Sequence, residues 1–450
     1  MSGLTAELAA FTANPQFPDL PPRAVEIVQS GFADTIATML AGREEPVVRI
    51  AQDFIAARQS SAMEASLLFG ARKAGSADAA LVNGIAGHAL DFDDVALGGH
   101  PSTVLVPAVL AEGERLDISG EEALRAYWVG YEVWAELFRR EPDPYHRKGW
   151  HPTAVLGVVG ATAAVAYLNK LPPEKCQHAI AIAASMACGL VANFGTMTKP
   201  LHAGRASSAA IDAVRLAASG LTGAPDAIEH HAGFLAALSP QGRVDRESPA
   251  SELGRELRVL EYGLSIKKYP TCYATHRVID GVLDLARANG VRSVDVEEVR
   301  ARIGISQASM LRNHKPVTGL EAKFSLEFAV ASALVAGKVG LDELTDAFVG
   351  ERAVRDVFPK VLITTDDSRC PIEPIFAEND RVQIVLRDGR TLDTGDIRFA
   401  RGNAMAPLAP AELRTKFIDC AGRAKDIDAA TLFDRLMNLR AVPRLRTLAC

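Results

Sequence analysis

Between Asn193 and Arg205 the chain reads Asn-Phe-Gly-Thr-Met-Thr-Lys-Pro-Leu-His-Ala-Gly-Arg, which sets three basic side chains into a turn broken by Gly and Pro. Lys199, His202 and Arg205 are spaced three apart, so a helix entered after Pro200 would carry them on about one face of its first turns. A small carboxylate could meet all three, and the free amide donors and positive dipole of a helix start favour an anion at the same place. The plain alternative is a solvated helix start with ordinary surface cations. Three further polar clusters interrupt an otherwise apolar, alanine-rich chain. One runs from His88 through Asp91, Asp93 and Asp94 to His100-Pro101-Ser102-Thr103, and another from His146 to Thr153, with His151 between a Gly149-Trp150 break and Pro152. The last runs from Lys267 through Lys268, Cys272 and Tyr273 to His276. Each cluster pairs charged residues with Gly or Pro at a helix boundary, where side chains and free backbone groups can converge on a ligand. Four such boundaries point to one pocket for a small anionic carboxylate substrate.

The chemistry these residue types suit is proton transfer next to a carboxylate. Removing such a proton leaves a carbanion with extra negative charge, so cations and hydrogen-bond donors aimed at that charge lower the barrier, while a neutral imidazole is a suitable base near pH 7. The lysines supply the first requirement and the histidines the second. An unshifted carboxylate is too weak a base for carbon acids, so Asp91 reads as a residue that orients a histidine or lysine. Asp91, Asp93 and Asp94 also suggest a rival, an acid-rich helix holding magnesium for diphosphate chemistry. It is weakened because the customary later acid and a second acid-rich helix are missing. No cofactor is implied, and the sequence shows no convincing metal set. A non-catalytic helical scaffold is the other rival, but a scaffold has no need of His and Lys at four helix boundaries.

The elements that must position these residues fall into two patterns. From Pro22 to about Leu260 the periodicity is helical, as in Val25, Val28, Phe32, Ile36 and Met39. Helices are expected over Asp78 to Asp91, Gly120 to Phe138, Pro152 to Leu168, Pro173 to Val191 and Ala203 to Leu216. Ala154 to Tyr167 is apolar nearly all round, so a large core or a subunit interface must cover it, and a homodimer is expected. Then Val299, Ala301, Ile303 and Ile305 alternate with Arg300, Arg302 and Gly304, the period of a half-buried strand. Val382 to Leu386 and Thr391 to Ile397 flank Asp388-Gly389, a hairpin signal. Thr275 to Asn289, Ala322 to Gly337 and Leu341 to Val349 read as helices around these strands, and Ala411 to Arg423 and Asp428 to Leu439 as final helices that could rejoin the bundle.

At 450 residues two domains are expected, and the 48% hydrophobic content is ample for a large core. A net charge of −6 gives no reason to expect nucleic acid, and an anionic substrate must be attracted locally against the overall field. The six cysteines are scattered without a Cys-x-x-Cys pair, which fits a reducing compartment and neither a zinc site nor a disulfide framework. Met1 to Asp19 has no leader-like pattern and no apolar run approaches the ~20 residues of a membrane span. A cytoplasmic protein away from membranes is the expectation.

The Asp91-Phe92-Asp93-Asp94 run ending in His100-Pro101-Ser102, the Gly149-Trp150-His151-Pro152 turn, the Gly195 to Gly204 segment and the Lys267 to His276 segment resemble those of the MmgE/PrpD family. That family includes 2-methylcitrate dehydratase, cis-aconitate decarboxylase and iminodisuccinate epimerase. The resemblance implies a mainly α fold: a large all-helical domain over residues 1–266 and 402–450, with a smaller α+β lid domain, residues 267–401, inserted between. It places Asp91, His100, His151, Lys199 and Lys267 where the family keeps active-site residues. His151 then takes the proton-transfer role, His100 is the second acid/base candidate, and Lys199 and Lys267 clamp carboxylates or stabilise developing charge. His202, Arg205, Lys268 and Tyr273 complete the candidate substrate contacts.

The resemblance implies a cofactor-independent lyase acting on a small di- or tricarboxylate, with 2-methylcitrate-like dehydration as its reaction. Val95, Cys272 and Phe328 stand where the decarboxylase branch has Thr, His and Tyr, which counts against cis-aconitate decarboxylation. Thr196 to Pro200, Pro270 to Ala274 and Lys323 to Ser325 look closer to the epimerase branch, making epimerisation of an imino-dicarboxylate the alternative. An epimerase needs a base on one face of the carbon and an acid on the other, and Cys272 could supply one of them as an activated thiol. A small apolar filler at a helix start is the plainer account of that cysteine.

Overall fold

The computed structural model describes residues 3–15 and 20–448. The stretch from Met1 to Asp19, read above as lacking a leader pattern, therefore lies partly outside the described residues. Two compact units are formed, Met1–Ser265 with Ala409–Cys450 and Ile266–Leu408, and each is described by itself.

The first unit is a helical bundle. Its long helices are α1 (Leu4–Ala13), α2 (Pro22–Gly42), α3 (Pro46–Ala56), α4 (Ser76–Ala89), α5 (Ser102–Leu116), α6 (Gly120–Arg139), α7 (Pro152–Leu168), α8 (Pro173–Met186) and α9 (Thr198–Ala218), with Pro410–Ala421 and Ala429–Met437 packed on α2. A short antiparallel ladder of β1 (Ala65–Ser66) and β2 (Lys73–Ala74) lies within the stretch read as wholly helical. Ser119 starts α6 through a capping box with Glu122, which satisfies two otherwise orphaned amides. α7 is buried along almost its whole length and packs against α5, α6, α8 and α9. Its all-round apolar surface is therefore covered within the chain and gives no reason of its own to expect a dimer. Trp128, Trp134, Tyr127 and Tyr131 of α6 fill the centre.

Two close helix crossings fix the geometry. A Cβ on Gly84 of α4 would stand 2.7 Å from the Gly204 Cα of α9, and one on Gly130 of α6 would stand 2.7 Å from the Gly160 carbonyl oxygen of α7. Only glycine allows these backbones so near. The first crossing holds the end of α4 beside the start of α9.

The second unit is α+β. Its strands are β3 (Val296–Gly304), β4 (Val361–Asp366), β5 (Asp380–Leu386) and β6 (Thr391–Ile397), in the sheet order β4-β3-β5-β6. β3 runs parallel to β4 and antiparallel to β5, which pairs antiparallel with β6. Val299, Ala301 and Ile303 are fully buried, in keeping with their alternation. Gly389 supplies the positive φ, 89°, of the β5–β6 turn. Helix His276–Asn289 packs on β5, β6 and helix Leu326–Val335.

Several element boundaries differ from the sequence reading. α9 begins at Thr198, ahead of Pro200, because proline in a first helical turn lacks an amide hydrogen that has no partner there anyway. α8 stops at Met186, and Val191–Asn193 is a separate 3-10 turn. The helix expected over Ala322 to Gly337 is divided: Gly319–Ala322 is one turn, and Ser325 caps Leu326–Val335 by accepting from the Phe328 amide at 3.1 Å. Of Leu341 to Val349 only Asp346–Val349 is helical. Among the described residues no helix is long and apolar enough to cross a membrane.

Candidate active site

The loop between α4 and α5 carries the first cluster. His88 lies in the last turn of α4, and Asp91 follows with φ 54°, a left-handed conformation that costs a non-glycine residue about 1 kcal/mol or more. Leu97 and Gly98, also at positive φ, form a tight turn across which Ala96 and Gly99 exchange both backbone hydrogen bonds, at 3.0 and 2.9 Å. A Cβ on Gly99 would lie 2.7 Å from the Thr153 nitrogen, so glycine lets this loop meet the start of α7. There the His100 amide donates to Thr153 Oγ1 at 3.2 Å. From Pro410–Ala421, Lys416 donates to the Phe92 carbonyl at 2.7 Å and pairs with Asp34 at 2.6 Å, which clamps the loop.

The acidic run is therefore a loop and not a helix, and its carboxylates are engaged one by one. Asp93 receives His88 Nδ1 at 2.9 Å and His100 Nδ1 at 3.0 Å. Asp94 accepts from the Ser102 amide at 3.2 Å and from the Ser102 hydroxyl, which also contacts the Tyr127 hydroxyl at 2.7 Å. Asp91 pairs with Lys199 Nζ at 2.6 Å, both side chains nearly buried. The magnesium–diphosphate arrangement, which needs acids on one helix face aimed at a shared ion, is not what the chain forms.

α9 brings Lys199 and His202 to this loop but not Arg205. At about 100° per residue, each step of three falls about 60° short of a full turn, so the third cation has rotated away and is exposed. This corrects the expected triad. Lys199 Nζ sits 5.2 Å over the Phe194 ring, whose centroid is 4.8 Å from that of His151. His151 stands at the start of α7 after the left-handed Gly149, and its Nδ1 lies 3.2 Å from His202 Nδ1. The ring centroids of His88 and His151 are 5.8 Å apart, those of His100 and His151 6.3 Å, and those of His88 and His100 4.6 Å. Asp91, His100, His151, Lys199 and His202 thus form one cluster in the first unit.

Lys267, Lys268, Cys272 and Tyr273 belong to the second unit. Lys267 is buried, the Cys272 amide donates to the Lys323 carbonyl at 2.8 Å, and Asn403 donates to the Tyr273 hydroxyl at 2.8 Å. Cys272 precedes the single turn Tyr273–Thr275 that leads into His276–Asn289.

Burial sets the charge states in the first-unit cluster. Loss of solvent, only partly opposed by Asp93, takes His88 down to about 3. Burial, then the charge of Lys199 and the neighbouring imidazoles, holds His151 well below its ordinary value, and burial with Lys199 takes His202 down to about 4. These imidazoles are neutral near pH 7. Burial, with Asp34 nearby, raises Asp94 well above the usual carboxylate range. At Asp93 burial pushes upward, but the two imidazoles hold the carboxyl well below its ordinary value.

Sequence reasoning gave His88 no role, although its place in a last helical turn, five residues before Asp93, is the signal that the two could meet. With it the fold also assembles what the sequence did not show, a set of metal-type donors: His88, His100 and His151 each offer a ring nitrogen, all within 4.8 Å of one another. The set was hidden because its members come from separate places in the chain, the end of α4, the loop before α5 and the start of α7.

The MmgE/PrpD N-terminal domain matches residues 6–247 and the MmgE/PrpD C-terminal domain residues 269–436. The chain belongs to the MmgE/PrpD family. Similar relatives are a cis-aconitate decarboxylase of Homo sapiens, 30% identical over 75% of this chain and 71% of the relative, and one of Mus musculus, 30% identical over 75% and 70%. A cis-aconitate decarboxylase of Aspergillus terreus is 25% identical over 100% of this chain and 96% of its own. Within this MmgE/PrpD chain, Val95 exchanges backbone hydrogen bonds of 2.9 Å with Ser265, and Phe328 is fully buried with its ring edge-on to Phe348. Phe328 packs in its unit with no hydroxyl to offer.

Proposed function

We propose that this protein is a lyase of the MmgE/PrpD type that acts on a small di- or tricarboxylate by moving a proton at the carbon next to a carboxylate. The observation that carries the reading is the buried Lys199–Asp91 pair, with Lys199 Nζ 2.6 Å from the carboxylate, set among the imidazoles of His100, His151 and His202. Lys199 offers a fixed positive charge to a substrate carboxylate, and Asp91 orients it. His151 is the base. Because its Nδ1 faces His202 Nδ1 at 3.2 Å, one ring must donate and the other accept. When His151 donates, its Nε2 keeps the lone pair that takes the proton, so His202 sets the tautomer of the base. His100, its Nδ1 engaged with the Asp94 carbonyl at 2.8 Å, is the second proton carrier. Abstraction puts charge on the carboxylate next to the Lys199 ammonium, where it is stabilised in a poorly solvated site.

Dehydration and epimerisation share this first step and differ in the fate of the carbanion, whereas decarboxylation reaches its carbanion by losing carbon dioxide and then takes up a proton, for which the same imidazoles would serve as the donor. Dehydration of a 2-methylcitrate-like hydroxy-tricarboxylate is the reaction we assign. Decarboxylation of cis-aconitate is the second reading, favoured by what the relatives' names state; the absence of the Thr, His and Tyr side chains at Val95, Cys272 and Phe328 stands against it. An NMR assay in D₂O with citrate, 2-methylcitrate, cis-aconitate and iminodisuccinate separates them by water loss, carbon dioxide loss or racemisation. Absence of any turnover or label exchange at the α-carbon with all four would refute the proton-transfer reading for these substrates.

A further inference from the structure

We propose that His88, His100 and His151 form a binding site for a divalent transition-metal ion such as Zn²⁺. Three imidazoles, each offering a nitrogen within 4.8 Å of the others, supply the donor type and number that such ions take, leaving a fourth position open.

The surroundings favour a cation and not merely a histidine cluster. His88 is 1% exposed, and its Nε2 has no hydrogen-bond partner. A buried ring nitrogen without a partner is a strong acceptor left unused. Its other nitrogen is fixed on Asp93, and the same carboxylate reaches His100 Nδ1, which also lies 2.8 Å from the Asp94 carbonyl. One carboxylate thus orients two rings through their Nδ1 atoms, the outer arrangement that fixes metal-bound imidazoles, while His100 Nε2 faces Asp91 at 3.9 Å. Asp93 is consumed in that role and Asp91 is paired with Lys199, so neither acid is the better ligand.

A metal-bound nitrogen has no lone pair left for a proton. With Nδ1 of His100 engaged, Nε2 is its remaining basic atom, and a metal there takes it. A bound ion therefore silences proton transfer, a consequence that rests on the function proposed above.

The test uses the full chain, freed of metal with chelator, titrated with Zn²⁺ by calorimetry and with Co²⁺ by visible absorption. One ion per chain and the visible bands of a tetrahedral, nitrogen-bound Co²⁺ are expected. His88→Gln should weaken binding more than Asp93→Asn, which takes the negative charge from the shared acceptor and should cost about 10- to 100-fold. No saturable binding, or undiminished binding in folded His88→Gln, overturns the site. If His88→Gln does not fold, X-ray absorption on the Zn²⁺-loaded natural chain decides: three imidazole nitrogens support it and fewer overturn it. Turnover should fall on Zn²⁺ addition and return with chelator, and full turnover with the ion bound overturns the shared use of the rings. Failure to bind metal leaves the proton-transfer reading intact, whereas a metal-free chain inactive on every substrate refutes that reading and leaves the binding result standing.

Discussion

Replacing Asp91 with Asn leaves the Lys199 ammonium buried without its carboxylate. The two side chains are only 6% and 7% exposed and meet at 2.6 Å, so solvent cannot take over the lost partner. Breaking a buried pair of this kind costs about 3–5 kcal/mol, several times what an exposed pair is worth. Lys199→Met strands the carboxylate instead and should cost a similar amount, while the double variant, which buries no unpaired charge, should recover most of the loss. The assay is denaturant unfolding of the four proteins followed by circular dichroism, alongside turnover. Strict additivity of the two single losses, or single losses below about 1 kcal/mol, would show that the pair is solvated and that the argument from burial is wrong. Turnover gives the functional half: stability should return in the double variant but activity should not, because the cation proposed to hold the substrate is gone. Recovery of both together would remove Lys199 from substrate binding.

His202→Asn should keep most of the turnover that His202→Leu loses, since the Asn carbonyl can accept from His151 Nδ1 as the imidazole does; equal losses would make the contact merely structural. Arg205→Ala should leave KM unchanged in a steady-state assay because Arg205 faces solvent. Gly84→Ala should destabilise by about 1–3 kcal/mol, read from a denaturation midpoint, because its Cβ would meet the Gly204 backbone at 2.7 Å. Glu132, fully buried and accepting from Trp128 Nε1 at 2.8 Å, is raised by burial from 4.5 to about 7. Its folded-state value lies above the unfolded one, so its contribution is fully present below about 4.5 and is lost as pH rises to about 7, a span worth about 3 kcal/mol. Glu132→Gln should flatten stability over that window, and an unchanged pH profile would show that Glu132 is not protonated in the folded chain.

How much of this could be read from the sequence depends on how local the determining physics is. α6 and α7 were legible because Ser119-x-x-Glu122 and His151-Pro152 mark their starts within a few residues. β3 was legible because alternation between Val299 and Ile303 needs no partner to be seen. α5 escaped because Pro107 inside Ser102–Leu116 reads as a breaker, yet the helix survives where neighbouring helices cover it. β4 escaped because Val361–Asp366 shows no clear alternation in burial at the edge of its sheet. In each case the missing information was a tertiary neighbour.

The same division runs through the candidate site. Residue types identified Lys199, His151 and His100, because cations and imidazoles at Gly- and Pro-marked helix ends are costly to bury without purpose. Sequence spacing was a poorer guide than residue type. The regular interval that joined Arg205 to Lys199 and His202 broke down over two steps, while His88 and His151, 63 positions apart (151 − 88), stack at 5.8 Å. What joins them is the glycine crossing of α4 with α9 and the Gly99–Thr153 approach, each a contact in which the absence of a side chain is the signal. A glycine is silent in a reading that looks for chemistry, yet here it decides which chemical groups can meet. The cluster's geometry is therefore set as much by Gly84, Gly99 and Gly204 as by the histidines they bring within reach.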